Sequence, residues 1–114
     1  LAIKLFYKST KKTLVSATEV SQHPGDCLIK DKNGKFNRLK IGFSSNNQSG
    51  RQAYAETFFT DGSIYISDTN EFLLTGDLIG DDPEIILISQ SHAIDIDTQF
   101  DLKVARAMHN SGIF

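Results

Sequence analysis

Hydrophobic and polar positions alternate with a period of two through much of this chain, as in strands with one face buried and one in water. Short segments between turn signals predict strands over Ala2–Lys8, Thr13–Val20, Cys27–Lys30, Phe36–Phe43, Ala53–Thr60, Ser63–Ser67, Glu71–Ile79, Glu84–Gln90 and Ala93–Asp97, several of them alternating. Turn chemistry separates them. Asn33-Gly34 and Asp61-Gly62, each flanked by apolar or β-branched residues, predict hairpins. His23-Pro24-Gly25, the polar run Ser44–Gly50 and Gly80–Pro83 predict further breaks. The run Ile85-Ile86-Leu87-Ile88 does not alternate, which predicts a central strand covered on both faces.

The C-terminal pattern differs. Phe100, Val104 and Met108 recur every four residues, Thr98 can cap the start, Asp101 sits in the first turn and Gly112 lies past the end. These features predict one amphipathic helix over Thr98–His109, although Phe100, Leu102 and Val104 also fit a strand. The expected fold is mainly β, with α+β as its variant: an antiparallel β-sandwich or small barrel with one C-terminal amphipathic helix packed on it.

The length of 114 residues predicts a single domain, 1–114, and 39% hydrophobic residues suffice for a core. No run of about 18 apolar residues is present, so no membrane span is predicted. The chain starts at Leu1 without a signal-peptide pattern, as a mature form or an excised domain would. Cys27 is the single cysteine, which favours a reduced, cytoplasmic setting and reads as a small core residue of its strand.

Charge sharpens the picture. Residues 1–51 hold ten of the twelve basic side chains and three acids, a net +7. Residues 52–114 hold two bases and eleven acids, a net −9. Strand parity then places the positive charge. Leu39, Ile41 and Phe43 share one face of their strand, leaving Phe36, Arg38 and Lys40 on the other. Ile3, Leu5 and Tyr7 leave Lys4, Phe6 and Lys8 opposite. Lys32 and Lys35 flank the Asn33-Gly34 turn.

Exposed rings among cations form a platform for single-stranded nucleic acid or another flexible polyanion, with bases stacking and cations tracking phosphates. The candidate ligand-binding residues are therefore Lys4, Phe6, Lys8, Lys32, Phe36, Arg38 and Lys40. The expected partner is anionic, either nucleic acid or an acidic protein surface. Head-to-tail association of copies would use the same asymmetry and give a homo-oligomer. The competing reading is that strand lysines keep the sheet soluble and blunt its edges.

The acidic half offers an alternative: a small metal-dependent hydrolase or nuclease in which Asp82 and Asp101 hold a metal and Lys103 positions water. Against it, Asp101 and Lys103 point about 200° apart on a helix. Asp95-x-Asp97-x-Gln99 has Phe100 where an EF-hand needs glycine. His23, His92 and His109 lack metal-ligand spacing, and neither a nucleophile elbow nor a phosphate-binding glycine loop is present. No catalytic residue, metal or cofactor is assigned from the sequence.

Overall fold

The computed structural model describes residues 1–39 and 55–113. They form α1 (Ala2–Lys8), β1 (Thr13–Glu19), β2 (Leu28–Lys30), β3 (Phe36–Arg38), β4 (Phe58–Ser67), α2 (Thr69–Thr75), β5 (Glu84–Leu87) and α3 (Gln99–Asn110), with single 3-10 turns at Pro24–Asp26 and Gln90–His92. Helix and strand are mixed, and the strands of the described residues form two small sheets. Two compact units emerge, residues 1–19 with 59–113 in one and residues 20–58 in the other.

The first unit is built on a three-stranded sheet of order β4-β1-β5. β1 and β5 run parallel, with Leu14 opposite Glu84 and Ala17 opposite Leu87. The contacts from β4 run the other way. Asp68 N–H donates to Lys12 O, whereas Ile64 N–H meets Ser16 Oγ, the order of an antiparallel pair. The sheet is therefore mixed.

The central strand is β1, not the run at Ile85–Ile88. Every residue from Thr13 to Thr18 is buried, whereas Ile85 and Leu87 on β5 stay 38% and 61% exposed. Interspersed hydroxyls disguise β1 as a half-polar strand. Those hydroxyls are put to use: Thr13 Oγ1 donates to Ile79 O, and Ser16 Oγ accepts from Ile64 N at 2.9 Å. Both partners lie outside β1, so these two hydroxyls fasten the central strand to its surroundings, whereas Thr18 Oγ1 is buried with no hydrogen-bond partner among the described residues.

Three other segments depart from the strand prediction. Ala2–Lys8 is a helix whose half-buried positions are Ala2, Leu5 and Phe6, a helical spacing that coexists with the alternation of Ile3, Leu5 and Tyr7. Its Ser9 cap hydroxyl donates to Glu84 Oε2 at 2.7 Å, tying the helix end to β5. Residues 69–75 are also helical, because Asp68 accepts from the amides of Asn70 and Glu71 and starts a turn. Residues 93–97 form no strand. The Asp61-Gly62 hairpin is absent as well. β4 runs through both residues, with Gly62 at φ +79, the conformation of a glycine at a β-bulge.

The C-terminal helix is present and carries a full capping box between Thr98 and Asp101. Of the predicted face Phe100, Val104 and Met108, only Met108 turns inward. Leu102, Ala105 and Met108 are half-buried, while Phe100 is 72% exposed and Val104 faces solvent. Among the described residues, no helix is long and apolar enough to cross a membrane.

Candidate binding surface

In the second unit, β2 and β3 pair antiparallel around the Asn33-Gly34 turn. Asp31 organises that turn. Its Oδ1 accepts from the amides of Asn33 and Lys35, at 2.9 and 3.0 Å. Gly34 adopts φ +82, which other residues reach only with strain.

The register sets Leu28 opposite Arg38 and Lys30 opposite Phe36, so Lys30, Phe36 and Arg38 share one face. Lys30 Nζ stands 5.7 Å from the Phe36 ring centre, a cation–π contact. Phe36 remains 61% exposed. Lys32 and Lys35 are exposed in the turn beside it. Four cations against one acid, Asp31, leave residues 28–38 with a net +3. Lys30 was not singled out from the sequence. Its place opposite Phe36 follows from the hairpin register once the turn is fixed.

Lys4, Phe6 and Lys8 lie in the first unit, on α1. The helix overturns the strand parity that grouped them. Lys4 and Lys8 fall on one exposed face at i, i+4, whereas Phe6 points about 200° from Lys4 and is half-buried. α1 therefore presents two cations without the ring. Lys40 falls outside the described residues, as do Ile41, Phe43 and the polar run 44–50.

Three of the acidic residues are engaged within the fold. Asp82 is ion-paired with Lys11, Asp77 Oδ1 accepts from Ile79 N, and Asp101 Oδ2 accepts from Thr98 N and Oγ1. Those Thr98 bonds hold the Asp101 carboxyl below its ordinary range. Among the described residues, no three His, Cys, Asp or Glu side chains gather in a metal-holding group.

His23 Nδ1 accepts from Gly25 N, and its Nε2 lies 2.9 Å from Ala55 O and 2.7 Å from Thr57 Oγ1. Accepting at Nδ1 places the proton of the neutral ring on Nε2, a structural role that anchors the 3-10 turn. Cys27 is exposed, one residue before β2, rather than a core residue.

No protein-family model matches the chain. It is similar to post-translational flagellin modification protein B of Campylobacter coli, with 25% identity over 103 residues. That match covers 90% of this chain and 42% of the Campylobacter protein, so the chain spans less than half the length of this curated relative.

Proposed function

We propose that these residues form a non-catalytic binding module that engages an anionic partner through the β2–β3 hairpin. The observation that carries this reading is the hairpin itself. Lys30, Phe36 and Arg38 share one face, with Lys32 and Lys35 exposed in the turn next to them. A partner strand of phosphates or carboxylates can follow the cations, while the outer part of the Phe36 ring offers a surface for stacking. The similarity to a flagellin modification protein suggests the setting: a segment of a longer protein that works in protein modification.

A fluorescent single-stranded oligonucleotide titrated against salt tests the reading. Engagement of the hairpin's four cations gives a slope of log K against log salt of about −3. Lys32→Glu with Arg38→Glu abolishes retention. An acidic peptide bound instead of the oligonucleotide would assign the partner as protein. Oligomers that form at low salt and dissolve at high salt would assign it as a second copy. Retention of neither probe, with a monomer at all salt concentrations, overturns the proposal. No specific observation favours the metal-dependent hydrolase. Asp101 serves the α3 cap, and Asp82 pairs with Lys11.

The setting has its own test. Exchanging the matched segment of the Campylobacter coli protein for this chain should leave flagellin at its modified mass. Unmodified flagellin from a stably expressed chimera would refute that setting.

A further inference from the structure

Asn33 and Gly34 form the tip of the β2–β3 hairpin. Gly34 N–H donates to Asp31 O at 3.0 Å, and Asp31 N–H donates to Lys35 O at 2.9 Å. With Gly34 at φ +82, this is a three-residue hairpin loop, a turn over residues 31–34 closed by a left-handed glycine. Asn33 is exposed, and Gly34 has no side chain to shield its amide nitrogen. The two residues can react with each other. A Gly34 nitrogen that gives its proton to hydroxide can attack Cγ of Asn33. The bond from Cγ to Nδ2 breaks, the side-chain nitrogen takes a proton from water and leaves as ammonia, and a five-membered imide remains. Water then opens the ring. Cleavage between Cγ and the Gly34 nitrogen gives aspartate, whereas cleavage between the Asn33 main-chain carbonyl carbon and that nitrogen gives isoaspartate.

The closed turn opposes the first step. The Gly34 proton is held on Asp31 O, and the turn fixes the torsion that must rotate to bring Cγ onto the nitrogen. The Asp31 carboxylate adds to the hold, accepting from the Asn33 and Lys35 amides. The hairpin itself is weakly built. Both strands are three residues long and exposed throughout. A two-stranded hairpin of this kind opens at a free energy well below that of global unfolding. We propose that Asn33 is a site of spontaneous isoaspartate formation, gated by opening of the hairpin turn. The change is not reversed by reclosure. Isoaspartate adds a methylene to the backbone of the loop, and the loop sets the hairpin register, so the pairing of Lys30 with Phe36 is lost. The new carboxylate also lowers the net charge of residues 28–38 from +3 to +2. The proposal does not rest on the anionic-partner reading, and its test uses no ligand.

Incubation of the protein in mildly alkaline buffer, beside a peptide of residues 28–39, tests it. The product is read by mass and by isoaspartyl methyltransferase labelling. Asn33 should gain the mass of one deamidation, most of the product should take the label, and the rate should be on the order of 10-fold below that of the peptide. In urea the protein should react at the peptide's rate. Asp31→Ala, which strips the Asn33 and Lys35 amides of their acceptor, should close most of the gap, with slow amide exchange in β1 checking that the first unit stays folded. An Asn33 still intact when the peptide has fully reacted overturns the proposal, as does conversion to aspartate without label. Equal rates in the folded protein and the peptide, or an Asp31→Ala variant no faster than its parent, overturn the gating.

Discussion

Single polar atoms in and around β1 hold much of the first unit together. Ser16 is 1% exposed, and its Oγ receives the Ile64 amide. Ser16→Ala would leave that amide without an acceptor, at a cost of about 1–3 kcal/mol, read as a lower urea midpoint with unchanged slope. Asp61 lies near the same site. Burial pushes its carboxyl up, but the Ser16 and Ser63 hydroxyls outweigh burial and hold it below 3.8. Ser63 Oγ donates to Oδ2 at 2.5 Å. A carboxylate with a depressed folded pKa contributes stability above its unfolded value and loses it as pH falls through the folded one. The urea midpoint should therefore drop below about pH 4, and Asp61→Asn should flatten part of that drop. An identical acid profile for the two proteins would remove Asp61 from this role.

At the scale of elements, end signals decided more than periodicity did. The Thr98–Asp101 capping box starts α3, and Asp68 starts α2. Thr98→Ala should cost about 1 kcal/mol and lower the helical circular dichroism signal. Asp101 keeps its charge to below the ordinary carboxylate range, so the box should persist in mild acid and open only as pH falls through that lowered value. The hairpin depends on Gly34, held at φ +82. Gly34→Ala should destabilise it by about 1 kcal/mol, seen as faster amide exchange at Asp31 and Leu39, which donate across the hairpin to Lys35 O and Cys27 O, with β1 unaffected. Equal loosening of β1 would show that the hairpin does not open by itself.

For the whole molecule, the charge split along the chain becomes a milder difference between units. Residues 20–58 hold six bases and three acids, a net +3, whereas residues 1–19 and 59–114 hold six bases and eleven acids, a net −5. Folding brings the basic N-terminal segment among acids, with Lys11 on Asp82 and Ser9 on Glu84. The hairpin cations remain concentrated. Lys4→Glu with Lys8→Glu should therefore change oligonucleotide affinity less than Lys32→Glu with Arg38→Glu, each measured at the same salt concentration. A larger loss from the α1 pair would move the binding surface to the first unit.

Local chemistry was legible in the sequence wherever a few adjacent residues settle the outcome. The Asn33-Gly34 turn and the helix after Thr98 follow from backbone preference and capping, which need no distant partner. The identity of the central strand was not legible, because burial on both faces depends on what packs against a strand. Thr13–Thr18 became the centre although it carries three hydroxyls, since those of Thr13 and Ser16 found partners across the fold, while Ile85–Ile88 stayed at an edge. Ala2–Lys8 satisfies both periods, and only its docking beside β1 and Glu84 selected the helix. The sequence alone thus determined the Asn33-Gly34 turn, the α3 cap and the density of charge; tertiary structure decided which segment is covered and which cations share a face, since both depend on contacts between residues far apart along the chain.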